Sequence, residues 1–182
     1  MIELELEKTY LLKYFPKGIE ECLHKEIIDI YYPKTDPHPK LRIRKSGGKI
    51  EITKKEQLNP NDASGQYEHT IKLNNAEYLA LTQTKGLKIR KIRYWYYYQN
   101  MTAEIDVFQN KLDGLVLVDF EFVSVGQKNS FAMPDFCLAE VTQKEFAAGG
   151  RLCGKKYSDI ENELKKFNYS KISLKVRNQK TR

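Results

Sequence analysis

Apolar and polar residues alternate along much of this chain, starting near its first residue. The opening segment reads IELELE, so Glu3, Glu5 and Glu7 share one side of a predicted strand and the apolar residues share the other. Further strands are predicted in the segments HKEIIDIYY, LRIRKSGGKIEITKK, QYEHTIKL, LKIRKIRYWYYYQNMTAEIDVF and LVLVDFEF. The pairs Gly47-Gly48 and Gln99-Asn100 provide residues suited to tight hairpin turns.

Helical spacing is restricted to short stretches. NNAEYLALTQTK has an asparagine at a plausible N-cap, PKGIEEC suggests one or two turns, and residues 143–167 are predicted to be mainly helical. KTDPHPK and LNPNDASG are predicted to be polar loops. About eight strands and two or three helices, joined mostly by short turns, predict an α+β fold. We expect an antiparallel eight-stranded β-barrel, enclosing a tunnel, with flanking helices.

The charged faces of the predicted strands are sorted by sign. Acidic faces occur on three strands, with Glu3, Glu5 and Glu7, with Glu104 and Asp106, and with Asp119 and Glu121. Basic groups share the faces that carry Arg42 and Arg44, and Lys91 and Arg93. A sheet whose charged face meets water would account for each strand alone, but a surface built for solubility usually mixes signs.

Closure of the barrel with its apolar residues outward would turn these charges into the lumen. Many ionisable groups cannot share a dry interior without a large desolvation cost, so they require water, metal ions and a charged ligand. Converging arginines and lysines suit a polyanion such as a phosphate chain. Clustered carboxylates without His or Cys suit a hard cation, Mg²⁺ or Mn²⁺.

Overall composition adds a domain boundary and a location. The net charge of +7 comes from the C-terminal segment: residues 165–182 contain seven basic and no acidic residues, so the other 24 basic residues balance the 24 acidic ones. We predict one domain over residues 1–167 and a basic tail over residues 168–182. No apolar run reaches the roughly 18 residues of a membrane helix. Three cysteines without CxxC spacing are typical of a reduced, cytoplasmic protein.

Over residues 2–146 the chain resembles the CYTH superfamily, the triphosphate tunnel metalloenzymes. Its opening signature E-x-E-x-K is similar to Glu5-Leu6-Glu7-Lys8-Thr9. Later motifs of the family resemble, in order, LRIRK, Thr53-Lys54-Lys55, Lys91-Ile92-Arg93, AEIDVF, GLVLVDFEF and MPDFCLAEVT. The superfamily includes inorganic triphosphatases, thiamine triphosphatases and class IV adenylyl cyclases.

The resemblance implies a role for each charged position. Metal ligands would be Glu5, Glu7, Asp119 and Glu121, with Glu104 and Asp106 as additional ones. Phosphate contacts would be Arg42, Arg44, Lys55, Lys91 and Arg93, with Lys72 as a further candidate. Of these, Glu5, Glu7 and Arg44 are expected to be required for catalysis. Thr9 departs from the signature, which has a lysine there.

The expected function is divalent-metal-dependent hydrolysis of a triphosphate, either tripolyphosphate, a nucleoside triphosphate or thiamine triphosphate. Two alternatives remain at this stage. One is an adenylyl cyclase of the class IV type, and the other is a non-catalytic binder of polyphosphate or triphosphorylated RNA that uses the basic tail. Apart from that tail we expect no nucleic-acid contact and no membrane contact, and the protein would be a monomer or a homodimer.

Overall fold

A computed structural model describes residues 2–174, which form nine β-strands and four α-helices. The strands are β1 (Ile2–Leu12), β2 (His24–Tyr32), β3 (Leu41–Ser46), β4 (Lys49–Asn59), β5 (Asp62–Lys72), β6 (Leu87–Tyr98), β7 (Met101–Phe108), β8 (Val116–Glu121) and β9 (Cys137–Glu140). The helices are α1 (Asn75–Thr82), α2 (Val125–Ser130), α3 (Gly149–Leu152) and α4 (Tyr157–Lys165). Single 3₁₀ turns occur at Ile19–Glu21, Asn110–Leu112 and Glu145–Ala147.

Eight of these strands close into an antiparallel barrel. The order around the ring is β5-β4-β3-β2-β6-β7-β8-β1, and β1 closes it by pairing with β5. Closure divides β1 in two: its first half, Ile2 to Leu6, pairs with β5, and its second half pairs with the short strand β9 along the same edge. The predicted antiparallel eight-stranded barrel with flanking helices is therefore confirmed.

Tight turns set the register of the long hairpins. Gln99 and Asn100 connect β6 to β7 with φ of 45° and 63°, the left-handed pair that a two-residue hairpin turn requires. Gly47, with φ of 59°, begins the turn between β3 and β4. Both turns lie where the sequence predicted them. Since one face of each strand is charged and the other apolar, a slip by one residue would exchange the two faces.

One local prediction is wrong, and one short strand was not predicted. The segment LNPNDASG was expected to be a loop, but β4 extends to Asn59 and β5 begins at Asp62, so only a tight turn separates them. Its polar composition misled the prediction, because side chains at the end of a hairpin stay in water even when the backbone is fully paired. Strand β9 was not predicted, since its four residues are too few to show a period. Helix α1 forms with the expected cap at Asn74.

The apolar residues form two clusters on different sides of the barrel wall. One closes an end of the barrel: Leu11, Ile89 and Phe108 pack there with residues of α3 and α4, including Leu152 and Ile160. The other covers the outer face of β1, β7 and β8 and is rich in edge-to-face aromatic contacts. The interior of the barrel consequently has an apolar floor at one end and charged walls above it.

The first residues of the predicted basic tail contact the barrel. The Tyr169 hydroxyl donates to the Gly114 carbonyl and accepts from the Val116 amide, and the Ile172 amide donates to Gly114 as well. The other part of the predicted tail, residues 175–182, lies outside the described residues. No helix within residues 2–174 combines the length and the apolar character that crossing a membrane requires.

Candidate functional site

The interior of the barrel contains a cavity of about 380 Å³ lined mostly by charged side chains. Every site residue predicted from the sequence lines it except Lys72, which is exposed at the end of β5. The acidic members are Glu5, Glu7, Glu104, Asp106, Asp119 and Glu121. The basic members are Arg42, Arg44, Lys55, Lys91 and Arg93. Barrel closure thus brings together, in one space, residues from both halves of the described chain.

Adjacent strands β1 and β8 hold one group of carboxylates. Their antiparallel register places Glu7 directly opposite Glu121, and Thr9 opposite Asp119. The Thr9 hydroxyl donates a 2.7 Å hydrogen bond to Asp119 Oδ1. Thr9 therefore faces the cavity, and it contributes a neutral donor at the position where the family signature has a lysine.

These carboxylates disfavour their ionised form. Burial raises the pKa of Glu7 to about 7; the charge of Lys55 opposes the shift, and the neighbouring carboxylates add to it. Burial also raises the pKa values of Asp119 and Glu121, and nearby carboxylates, Asp106 and Glu5 respectively, reinforce the increase. A cluster of like charges with too few cations nearby favours either a proton or a metal ion.

On the opposite wall, Arg44 is held by a buried aspartate on the next strand. Arg44 Nε donates to Asp29 Oδ1 at 2.7 Å, and Arg44 Nη2 donates to Asp29 Oδ2 at 2.8 Å. Asp29 is 2% exposed and lies directly opposite Arg44 in the pairing of β2 with β3. Although burial opposes ionisation, the charge and hydrogen bonds of Arg44 hold the pKa of Asp29 well below its usual range.

A second buried aspartate joins two cations on β6. Asp106 accepts hydrogen bonds from the Lys91 ammonium and, at 2.7 Å each, from Nε and Nη2 of Arg93. Arg93 Nη1 also donates a hydrogen bond to Glu104, and Arg93 Nη2 lies 3.7 Å from Asp119 Oδ2. Asp106 is therefore a counter-ion of two predicted phosphate contacts. Its pKa is held low by Arg93 and Lys91 despite burial.

The remaining cations, Arg42 and Lys55, are less completely paired. The Lys55 ammonium donates a hydrogen bond to Glu5, and its Nζ lies 3.5 Å from Glu68 Oε2. Arg42 Nη2 lies 3.5 Å from the same oxygen of Glu68. Arg42 Nε is buried and has no hydrogen-bond partner among residues 2–174. A buried guanidinium N–H without a partner is costly, so this atom is a ready donor for an anion in the cavity.

Sequence reasoning missed Asp29 and two loop lysines. Asp29 sits among apolar residues in HKEIIDIYY, and an isolated acid within such a strand was the available signal. Lys40 and Lys144 line the cavity from the loops before β3 and after β9, where no periodicity could assign them an inward direction.

Glu7, Asp119 and Glu121 suit a divalent metal by donor type, because they are oxygen ligands whose pKa values are raised by burial and by neighbouring carboxylates. The present position of Asp119 is set by its contacts with Arg93 and Thr9. Among the described residues, no three Asp, Glu, His or Cys side chains are grouped as a metal centre. The donor set fits a hard cation, and binding it would require these side chains to exchange partners.

A curated protein and a solved structure that are similar to this chain are inorganic triphosphatases by name. The chain is 28% identical over 141 residues to an inorganic triphosphatase of Nitrosomonas europaea, covering 76% of this chain and 89% of that protein. The crystal structure of an inorganic triphosphatase matches with a TM-score of 0.59 and 26% identity, covering 82% of this chain and 93% of the other.

A more distant structure shares the fold. A putative adenylate cyclase from Bacillus halodurans matches with a TM-score of 0.52 and 17% identity, over 97% of this chain and 96% of its own. No protein-family model matches the chain. The similarity therefore extends along nearly the whole barrel, and the relatives with higher identity are triphosphatases by name.

Proposed function

We propose that this chain is a member of the CYTH superfamily of triphosphate tunnel metalloenzymes and that it hydrolyses inorganic tripolyphosphate with the help of a divalent metal ion. The observation that carries the proposal is the unpartnered Nε of Arg42 inside a cavity that also holds Arg44, Lys55 and Arg93. Such a site suits an anion, and a sequence relative whose alignment covers 76% of the chain is an inorganic triphosphatase.

The basic wall would bind the phosphate chain. Arg42, Arg44 and Arg93 present planar guanidinium groups suited to two-point contacts with phosphate oxygens, and Lys55 and Lys91 add point charges. Because these groups are fixed before the substrate arrives, they would stabilise charge that develops on the phosphoryl oxygens without reorganising during the reaction.

The acidic wall would hold the metal ion. We propose Glu5, Glu7, Asp119 and Glu121 as ligands for Mg²⁺ or Mn²⁺. A bound ion of this kind neutralises phosphate charge and lowers the pKa of a coordinated water. The protein's own contribution is to bring Glu7 and Asp119 together with Glu121 on the paired strands β1 and β8 and to orient Asp119 through the Thr9 hydroxyl.

A larger phosphate ester or nucleotide is a less favoured substrate. The side chains lining the cavity are largely ionic, and the apolar residues at its floor are packed against α3 and α4. We therefore propose inorganic tripolyphosphate ahead of ATP or thiamine triphosphate.

Phosphate release tests the proposal. The protein would be incubated with tripolyphosphate, ATP or thiamine triphosphate, in Mg²⁺, in Mn²⁺ or in EDTA. We expect metal-dependent release that is fastest with tripolyphosphate and absent in EDTA. Equal release in EDTA would contradict the metal requirement, and release from ATP alone would contradict the substrate assignment.

Product analysis distinguishes the alternatives. Cyclic AMP from ATP, without free phosphate, would identify a cyclase. No turnover of any substrate, combined with tight binding of tripolyphosphate, would identify a binder.

A cytoplasmic location is also part of the proposal, because Cys22, Cys137 and Cys153 are free thiols.

A further inference from the structure

Among the cavity's cations, Arg44 is unusual because its guanidinium is already committed to a protein partner. Two of its five N–H groups, one on Nε and one on Nη2, are used by the two oxygens of Asp29 at 2.7 and 2.8 Å. The remaining three N–H groups, including both on Nη1, are available to a ligand. Arg44 lines the cavity, whereas Asp29, on the same face of the sheet, is buried and is not among the lining residues.

Backbone pairing makes this contact rigid. Asp29 on β2 and Arg44 on β3 are directly opposite in the antiparallel register, and Asp29 also pairs with Ile89 of β6 on its other side. The carboxylate therefore comes from the middle of the sheet and is almost completely buried. A two-point bond to a fixed carboxylate leaves the guanidinium plane little freedom to rotate.

Charge explains why a buried aspartate is placed there. The charge of Arg44 acts on the neighbouring cations Lys91 and Arg93, and Lys91 and Arg42 in turn act on Asp29. Without a counter-ion, a buried guanidinium would be repelled by these neighbours and would turn towards other carboxylates in the cavity. The aspartate offsets that repulsion without being one of the residues that line the cavity.

From this geometry we infer that Asp29 is a positioning residue for anion binding: it fixes Arg44 so that the free edge of the guanidinium faces the phosphate chain. The assignment rests on the proposed function. Asp29 touches neither substrate nor metal, and its effect passes entirely through Arg44.

The chain offers a matched control on the same strand. Oε2 of Glu26 on β2 accepts hydrogen bonds from both Nε and Nη2 of Arg90 on β6, which is also an arginine–carboxylate pair between neighbouring strands. That pair is exposed on the outer face of the barrel. Glu26→Gln therefore removes a comparable ion pair without affecting the cavity.

The test measures binding as well as turnover. Calorimetric titration with tripolyphosphate in EDTA gives a Kd that does not depend on metal or catalysis, and phosphate release in Mg²⁺ gives kcat and KM. We expect Asp29→Asn to raise both Kd and KM at least fivefold and Glu26→Gln to leave them within twofold of the wild type. Arg44→Lys, which keeps the charge but cannot form the fork, should raise Kd by a similar factor.

A double-mutant cycle separates positioning from general stabilisation. If Asp29 acts through Arg44, Asp29→Asn should have little further effect on Kd in an Arg44→Ala background. Persistence of the full effect there would overturn the inference, as would a Kd for Asp29→Asn within twofold of Glu26→Gln. Should Asp29→Asn fail to fold, the Arg44→Lys result decides: an unchanged Kd overturns it.

The proposed function can fail separately. If the wild-type protein binds tripolyphosphate but does not hydrolyse it, the triphosphatase proposal fails while the Kd comparison still judges Asp29. If the wild-type protein does not bind tripolyphosphate at all, both are overturned, because Arg44 then has no anion to hold.

Discussion

Tripolyphosphate hydrolysis should weaken above pH 8, since the side chain of Lys91 loses its proton there. The pKa of Lys91 is lowered to about 8, chiefly by burial, from 10.5 in an unperturbed lysine. The nearby charges of Arg93 and Arg44 lower it as well, and Asp106 opposes the change. The difference corresponds to roughly 3 kcal/mol against the ammonium form in the folded protein.

The magnitude of the effect follows from the charged fraction. With a pKa near 8, about nine-tenths of Lys91 side chains are charged at pH 7 and about one-tenth at pH 9. If the charged form is needed to bind the phosphate chain, kcat/KM should fall about tenfold between pH 7 and pH 9. Stability should move the other way: since the unfolded chain keeps this proton up to pH 10.5, the free energy of unfolding rises with pH between 8 and 10.5.

The assay compares pH profiles of kcat/KM for three proteins in the same buffers. Lys91→Arg keeps its charge throughout, so its profile should lack the descent above pH 8. Lys88→Arg, on the same strand but outside the cavity lining, should retain the wild-type profile. Because substrate and metal ionise identically in all three assays, only the ratio of profiles is interpreted. A descent of equal midpoint in Lys91→Arg would refute the assignment to Lys91.

Three further predictions concern single side chains. Glu7→Gln should lower hydrolysis at least a hundredfold yet raise the Tm at pH 8 by a few degrees, because the folded state no longer holds a carboxylate whose pKa is raised to about 7. The gain in Tm should vanish near pH 4.5, and an equal gain at both pH values would contradict the reasoning. Thr9→Val should lower kcat/KM about tenfold, because it removes the hydroxyl that donates to the Asp119 carboxylate, whereas Thr9→Ser should keep most of the activity. Equal activity of the two variants would contradict this role of Thr9. Gly150→Ala would bring Cβ into a clash with the Pro39 carbonyl oxygen and should lower the Tm by roughly 3–10 °C. In the same melting experiment Gly48→Ala, whose Cβ would have no heavy atom within 4 Å, should leave the Tm nearly unchanged. Similar Tm values for the two variants would show that the close approach at Gly150 is easily relieved.

The barrel itself was predictable because its signal is repeated many times. Each long strand shows a period of two, and turns such as Gln99-Asn100 and Gly47-Gly48 have few other uses. The short strand β9 and the tight β4–β5 turn were missed for the opposite reason. Four residues carry no period, and a polar turn has the composition of a loop whatever its length.

The sequence showed which charged side chains point into the cavity, but it did not show which of them form ion pairs with one another there. Period-two alternation correctly placed Arg42, Arg44 and Lys55 in the lining. Lys72 lies opposite Glu51 and so shares the same face, but it is exposed at the end of β5 and does not line the cavity. The alternation said nothing about Asp29, because the partner of a residue across the sheet depends on strand order, and β2 lies between β3 and β6.

Pairing divides the carboxylates of the cavity into two kinds that look identical in sequence. Asp106 on β7 and Asp119 on β8 both sit in alternating strands and both line the cavity. The register places Asp106 opposite Arg93, and the cations hold its pKa low; Asp119 has Thr9 opposite it on β1, and its pKa is raised. The first is already neutralised by the protein, so a metal ion gains little there. The second is not neutralised in this way, so the metal ion that we propose should bind along β1 and β8, across the cavity from the arginines that we propose as phosphate contacts.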